Sequence, residues 1–115
     1  MSSVMYMKCL PPIVHFKALG SSEKAIQSVQ KESFIAGKHP VSDLVLISIH
    51  CNRTHAFFCW KQQGLFVMDK HSVNGVFINQ NRIDRNEWYP LDSGDKIVLG
   101  NLQFDVTFEG HDHLK

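Results

Sequence analysis

Cys51 lies close to two histidines, His50 and His55, and these three side chains could together form a nucleophile and its base. A thiol acts as a nucleophile when a neighbouring base activates it, and a third group usually orients that base. The sequence around these residues contains no orienting group and no signature of an oxyanion hole. We therefore expect no catalytic residue and a protein that is not an enzyme.

A histidine pair near the C-terminus, His111 and His113, could bind a metal ion in the manner of a purification tag. Residues 109–115 as a whole have instead the composition of a flexible chain end. We expect no metal site and no bound cofactor.

The bulk composition describes a single globular domain. The chain has 115 residues, 43% of them hydrophobic, so it is long enough to form one core. Its formal net charge of +1 argues against charge-driven binding to nucleic acid or membranes, although a local basic patch is compatible with it. The odd number of cysteines, without a CxxC pair, indicates a reducing compartment. We expect an intracellular protein that binds neither membranes nor nucleic acid directly.

The elements that must position any site are strands. Leu102 to Phe108 alternates between apolar and polar residues, and Ala56 to Trp60 is bulky on both faces, as in a central strand. About ten such short runs, separated by turn signals, favour an all-β sandwich or barrel. The one helix candidate, residues 21–31, has too few apolar residues to form a stripe. The expected divisions are an N-terminal extension or edge strand, a folded domain and a flexible end, over residues 1–12, 13–108 and 109–115.

Several short motifs follow one another in an order that chance rarely supplies. They are Gly37-Lys38, Asn52-Arg53-Thr54-His55-Ala56, Ser72-Val73-Asn74-Gly75, Asn79, Leu91-Asp92-Ser93-Gly94-Asp95 and Leu99-Gly100. This order resembles the signature of the forkhead-associated (FHA) domain, a module that reads phosphothreonine. The resemblance covers residues 13–108. It implies an all-β fold, a sandwich of about eleven strands in two sheets, with peptide-binding loops at one end.

The resemblance also implies roles for residues of the loops. His55 matches a histidine that orders the binding loop from beneath by hydrogen bonding. Asn74 matches a residue whose side-chain amide contacts the peptide backbone, for which an amide is suited because it both donates and accepts. Gly75 supplies a turn conformation that includes positive φ. The remaining matches are expected to brace or form loops, and they are Gly37, Asn79, Gly94 and Asp95.

The expected phosphate contacts depart from the family pattern. Lys38 stands where the family usually has arginine, and a lysine cannot form the two-pronged contact of a guanidinium. Asn52 stands where the family usually has serine, and its carbonyl oxygen could face the phosphate. Val73 brings no donor, whereas Arg53 and Lys70 could supply positive charge. The candidate phosphopeptide-binding residues are Lys38, Asn52, Arg53, Val73 and Asn74.

Two functions follow from these departures. The first is a protein interaction domain whose phosphothreonine pocket is degenerate and which forms a homodimer, with an edge strand around Met5 to Leu10 as the pairing surface. The alternative is a functional reader of phosphothreonine peptides. The first resembles the N-terminal FHA domain of a DNA-damage checkpoint mediator, a mutator-type adaptor of the fly. That resemblance implies a nuclear protein of chromosome maintenance whose partners are proteins.

Overall fold

The structure, a computed structural model, describes residues 10–20 and 25–109. Every helix or strand element among these residues is a strand, which confirms the expected all-β fold. The eleven strands of the described residues, β1 to β11 in chain order, span Val14–Ala18, Ile26–Val29, Ser33–Gly37, Leu44–Val45, Ala56–Lys61, Gly64–Asp69, Val76–Ile78, Asn81–Arg82, Trp88–Leu91, Lys96–Leu99 and Leu102–Thr107. No helix among the described residues is long and apolar enough to cross a membrane.

The strands form two sheets, as the family resemblance implies. The six-stranded sheet has the order β2-β1-β11-β10-β7-β8, and the five-stranded sheet has the order β4-β3-β5-β6-β9. All pairings are antiparallel except that of β3 with β4. β5 lies at the centre of its sheet, as its bulky residues on both faces indicate. β4 ends at Val45, two residues earlier than the apolar run Leu44 to Ile47 suggests.

The core is held together by phenylalanine rings that cross from one sheet to the other. Phe16 on β1 packs edge-on against Phe58 on β5, with their ring centroids 5.4 Å apart. Phe58 in turn stacks on Phe34 of β3 at 4.8 Å, and Phe104 of β11 completes the group. Such pairs add about 0.5–1.5 kcal/mol each beyond the burial of apolar area. The packed core therefore holds together the two sheets from which the loops extend.

The two sheets are also joined at one edge, where β2 approaches β4. The side-chain amide of Gln27 donates to the carbonyl oxygen of Val45 at 2.8 Å and accepts from the Val45 N–H at 2.9 Å. The amide thus takes the place that the peptide group of a neighbouring strand would occupy. Because β4 leads directly into the loop that follows Val45, this contact fixes the start of that loop.

The segment expected to supply a pairing edge falls almost wholly outside the described residues. Of Met5 to Leu10, only Leu10 is described, and it is exposed and not part of a strand. The part of the helix candidate over residues 26–29 forms strand β2, and residues 21–24 are not among those described. The histidine pair at His111 and His113 likewise lies outside the described residues.

Candidate functional site

Three loops meet at one end of the sandwich and form a cleft of about 380 Å³. They are the loops that follow β3, β4 and β6. The residues that line the cleft are Lys38, Ile49, His50, Cys51, Asn52, Arg53, Val73 and Asn74. All five candidate phosphopeptide-binding residues are among them. The structure thus brings together residues that are up to 36 positions apart in the sequence, although their binding role stays a prediction.

His55 lies directly beneath the cleft and is fully buried. Its Nδ1 accepts the N–H of Asn52 at 3.1 Å, and its Nε2 donates to the carbonyl oxygen of Gly75 at 2.9 Å. These two bonds require one neutral tautomer, with the proton on Nε2. The ring therefore ties the loop after β4 to the loop after β6, and it has no nitrogen left to act as a base.

The side chain of Asn52 forms a second link between the same two loops. Its Oδ1 accepts the backbone N–H of Val73 at 3.1 Å. The oxygen is consequently turned toward the neighbouring loop, and the amide nitrogen is the end available to donate to a ligand. The oxygen that was expected to face a phosphate is thus bonded to a backbone N–H of the protein. Val73, which has no side-chain donor, also has its backbone N–H engaged.

The side chain of Asn74 forms one hydrogen bond within the protein. Its Nδ2 donates to the carbonyl oxygen of His50 at 2.8 Å. The amide group of Asn74 has two N–H donors and one oxygen acceptor, and the bond to His50 uses one of the donors. The second N–H and the oxygen are therefore left to pair with an extended peptide backbone.

Positive charge reaches the cleft from Lys38 and Arg53. Both side chains are exposed, and neither forms an ion pair with a carboxylate in the part of the chain that the structure describes. Lys70 does not contribute to the cleft lining, since its Nζ lies 5.6 Å from the ring centroid of Phe57. Two unpaired cations facing one cleft favour an anionic ligand.

A close backbone approach at Gly37 brings together the two chain segments that carry these cations. A Cβ at this position would lie 1.9 Å from the carbonyl oxygen of Arg53, so no other residue fits without a backbone shift. The N–H of Lys38 donates to the carbonyl oxygen of Asn52 at 2.9 Å and completes the crossing. Gly37 is thus needed for close packing of two chain segments.

The other expected loop residues include two glycines with positive φ and a hydrogen-bonded pair, Asn79 and Asp95, at the ends of β7 and β10 that lie away from the cleft. Gly75 and Gly94 have φ of +91° and +100°, a region that favours glycine. Asn79 donates through Nδ2 to Asp95 at 2.9 Å and accepts the N–H of Lys96 through Oδ1. Asn79 also has a φ of +49°, which asparagine tolerates better than most residues.

Two buried polar residues that brace the loop after β6 went unassigned in the sequence. Ser72 accepts the N–H of Gly75 through its hydroxyl at 3.0 Å, and the N–H of Ser72 donates to Asp69 at 2.9 Å. Both residues are fully buried. The sequence does carry a signal for these contacts. Asp69 and Ser72 each stand three positions before the N–H that they accept, and this is the spacing of a turn capped by a side chain.

Cys51 is structural in its contacts. Burial raises the pKa of its thiol above the ordinary value, and the hydrogen bonds near it offset this only in part. The Sγ donates to the carbonyl oxygen of Leu99 at 3.3 Å. A protonated thiol pointing into the core is a poor nucleophile. Among the described residues, no group of three or more histidine, cysteine or acidic side chains could hold a metal ion.

The family model that matches this chain is that of the FHA domain, over residues 34–100. This span is more than half of the chain, and it contains every candidate binding and loop residue named above. It begins in β3 and ends directly after β10.

Curated relatives match a similar part of the chain. The oxoglutarate dehydrogenase inhibitor of Corynebacterium diphtheriae is 41% identical over 76 residues, which are 65% of this chain and 50% of that protein. The glycogen accumulation regulator GarA of Mycobacterium tuberculosis is 32% identical over 68 residues, which are 59% of this chain and 40% of GarA. The chain thus spans half the length of these relatives or less. Both are bacterial regulators, and they give no support to the expected nuclear DNA-damage adaptor.

Solved structures share the fold at low sequence identity. The N-terminal FHA domain of Saccharomyces cerevisiae Rad53p, in complex with a phosphothreonine peptide, has a TM-score of 0.75 and 18% identity. The match spans 89% of this chain and 96% of the Rad53p chain. Mycobacterium tuberculosis EmbR, in complex with a low-affinity phosphopeptide, has a TM-score of 0.75 and 22% identity, over 85% of this chain and 25% of EmbR. At these identities the likeness establishes the fold.

Proposed function

We propose, from the premise that this chain belongs to the FHA domain family, that its loop cleft binds phosphothreonine peptides. FHA domains are protein interaction modules without catalytic activity of their own, and the chain is one of them. The finer question is whether its pocket retains affinity for phosphate. The sequence favours a degenerate pocket, whereas the geometry of the cleft favours the alternative, a functional reader.

One observation supports this proposal above the others, and it is the orientation of Asn52. Because its Oδ1 accepts from the N–H of Val73, its amide nitrogen can donate toward the cleft, as a serine hydroxyl would. Lys38 and Arg53 add two cations that have no carboxylate partner among the described residues. The departure at Lys38 still costs a two-pronged contact, so we expect weaker binding than an arginine would give.

Fluorescence polarisation with a labelled phosphothreonine peptide library tests the proposal. We expect binding in the micromolar range, and no binding of the same peptides with unmodified threonine. Lys38→Ala should weaken binding about tenfold, because it removes one of two charge-assisted contacts. Lys61→Ala is the matched control, since Lys61 lies over Trp88 on the outer face of the five-stranded sheet. Equal affinity for modified and unmodified peptides would contradict the proposal.

Self-association remains a second proposal. Two observations favour it: β2 is an edge strand with β1 as its one neighbour in the sheet, and Leu10, just before β1, is an exposed apolar residue. An edge strand beside an apolar side chain can pair with a second copy of the chain. Light scattering over a range of concentrations tests it. A monomeric mass at the highest concentration would remove the homodimer from consideration.

The setting in which the domain works is also a proposal. The proposal that the domain belongs to a nuclear DNA-damage adaptor rests on sequence resemblance alone. The bacterial relatives, an inhibitor of oxoglutarate dehydrogenase and a regulator of glycogen accumulation, support a different setting, the regulation of metabolism. Microscopy of the tagged full-length protein in its own cells separates the two, because the first requires a nuclear signal that the second does not.

A further inference from the structure

The outer side of the five-stranded sheet is apolar, although the described residues supply no third layer to cover it. Side chains that lie opposite one another on neighbouring strands share one side of a sheet and form rows across it. Two adjacent rows cross β3, β5, β6 and β9, and all their members are at least partly exposed. Ser33 is their one polar member. The rows, called here the apolar face, consist of Ile35, Phe57, Met68 and Trp88, and of Ser33, Cys59, Phe66 and Pro90.

The outer side of the six-stranded sheet is polar, as the solvated side of an antiparallel sheet normally is. Lys17 and Lys96 both lie opposite Asp105, and Lys96 bonds this carboxylate at 3.2 Å. In the next row, the His15 ring bonds the hydroxyl of Ser28. The two sheets of the sandwich thus differ in chemistry, and the five-stranded sheet is the one whose outer side suits a further layer.

A groove of about 360 Å³ crosses the apolar face between β3 and Trp88. Ile35, Phe57 and Cys59 also line it, and Asp43 lies at its β3 end. The carboxylate of Asp43 is paired with Lys31 at 2.6 Å, so its charge is already met within the domain. The groove can therefore accept an apolar side chain without leaving an unpaired charge beneath it.

Two exposed lysines flank the apolar face at opposite ends. The Nζ of Lys61 lies 4.6 Å from the ring centroid of Trp88, and the Nζ of Lys70 lies 5.6 Å from that of Phe57. Within residues 10–20 and 25–109, neither lysine forms an ion pair with a carboxylate. Lys61 is at one end of the β5–β6 ladder, and Lys70 follows the residue that pairs with Ala56 at the other end. At about 3.4 Å per residue, their backbones are about 20 Å apart.

We propose that the apolar face binds an amphipathic helix of a partner protein, one whose apolar stripe ends in carboxylates on both sides. Packing of a helix is a common way to cover the apolar side of a sheet. A helix that lies along β5 spans about 20 Å with about 13 residues, so its stripe covers both rows while its ends reach Lys61 and Lys70. This surface does not include the phosphopeptide cleft. The interaction is therefore independent of phosphorylation and goes beyond the proposed function.

A second copy of this chain fits the charges of the apolar face less well than an acidic helix does. In the aligned packing of two sheets, the strands of both run in nearly the same direction. A two-fold axis along or across the strands then sets Lys61 of one copy opposite Lys61 or Lys70 of the other. Like charges in such positions oppose association, whereas the carboxylates of an acidic helix neutralise both lysines.

Selection from a displayed library of unphosphorylated helical peptides, about 16 residues long, tests this inference on the purified domain. We expect the enriched peptides to carry large apolar residues at i, i+3, i+4 and i+7, with aspartate or glutamate toward both ends. The same selection on the double variant Lys61→Glu, Lys70→Glu should instead enrich lysine or arginine toward the ends, because the charges of the surface are reversed.

Fluorescence polarisation with the enriched peptides locates their binding surface. Ile35→Ser should weaken their binding about tenfold, because it removes apolar area from the groove. Ile26→Ser is the matched control, since Ile26 is exposed at 55% but lies on β2 of the other sheet, and it should leave the affinity unchanged. Lys38→Ala, in the phosphopeptide cleft, should also leave it unchanged.

Three results would overturn the inference. The first is a selection that enriches no peptide with this pattern, or one in which acidic ends persist on the double variant. The second is an affinity that Ile35→Ser does not lower, since the peptides would then bind elsewhere. The third is a dimeric wild type that Ile35→Ser converts to a monomer in light scattering, since the apolar face would then belong to a second copy of the chain.

Discussion

The side-chain oxygen of Asn52 accepts the backbone N–H of Val73 at 3.1 Å, and so joins two cleft loops that are 21 residues apart. A serine side chain would be too short to span the same gap by the same route. The asparagine therefore has two functions in this geometry: it bridges the loops through its oxygen, and it presents its nitrogen to the cleft.

Asn52→Asp separates these two functions. An aspartate keeps an oxygen for the N–H of Val73, so we expect the free energy of unfolding to change by less than about 1 kcal/mol. It replaces the nitrogen by a second negative oxygen, so phosphopeptide affinity should fall by more than tenfold through like-charge repulsion. Urea unfolding and fluorescence polarisation on the same sample measure both. Retained affinity would show that Asn52 does not face the phosphate.

Lys38→Arg should raise phosphopeptide affinity by about three- to tenfold. A guanidinium at this position can bond two phosphate oxygens at once, whereas the ammonium group acts as a point charge. The same substitution at Lys61, remote from the cleft, is the control. If Lys38→Arg left the affinity unchanged, Lys38 would have to be placed outside contact distance of the phosphate.

His55→Ala should lower the free energy of unfolding by about 2–4 kcal/mol. It leaves a cavity and removes the partners of two buried groups, the N–H of Asn52 and the carbonyl oxygen of Gly75. His15→Ala is the control, because His15 is exposed and its ring bonds the hydroxyl of Ser28 at the surface. Denaturant titrations of both variants give the comparison, and equal losses would argue against a bracing role for His55.

Gly37→Ala should be the most damaging single methyl addition in the loop region. The added carbon would lie 1.9 Å from the carbonyl oxygen of Arg53, and the backbone would have to separate, at a cost of about 3 kcal/mol or more. Gly94→Ala adds the same carbon into open space. Its loss of unfolding free energy should come only from an alanine held at a φ of +100°, about 1–2 kcal/mol. Thermal unfolding of the two variants ranks them, and the reverse order would contradict the close approach.

Asp43→Asn should reduce stability at neutral pH by about 0.5–1 kcal/mol, with a dependence on pH. Burial raises the pKa of Asp43, but hydrogen bonds from Lys31 and the N–H of Ile35 outweigh it, so the pKa lies below the ordinary value of 3.8. A lowered pKa stabilises the folded state above the pKa of the unfolded chain, and this stabilisation is lost as pH falls through the folded pKa. The difference between wild type and variant should therefore disappear in strong acid. Urea midpoints measured at neutral and acidic pH test this.

The strands could be predicted from the sequence because their alternation is local. Leu102 to Phe108 alternates as the buried pattern of β11 requires, and Ala56 to Trp60 became the central strand. Strand β9 is harder to predict from the sequence, since Pro90 interrupts the pattern of a strand. The structure places it at the edge of the sheet, with Phe66 of β6 as its neighbour, where a missing N–H is tolerated.

The candidate cleft could be predicted from the sequence, but the orientation of its side chains could not. The motif order named residues that line one cleft, whereas the direction of the Asn52 amide depends on Val73, a residue of another loop. The role of Gly37 depends in the same way on the backbone of Arg53. The end of β4 at Val45, which leaves Ile47 in solvent, is likewise set by tertiary contacts of Leu46 and Ser48.

The contact between Gln27 and Val45 limits the addition of a further strand to the sheet at β4. A foreign chain joins a sheet by bonding to vacant peptide groups along an outer strand, which is also how aggregates begin. At Val45 both groups are already taken by a side chain of the same molecule. Recruitment of another strand at β4 would first require the displacement of Gln27, so strand addition is disfavoured at β4.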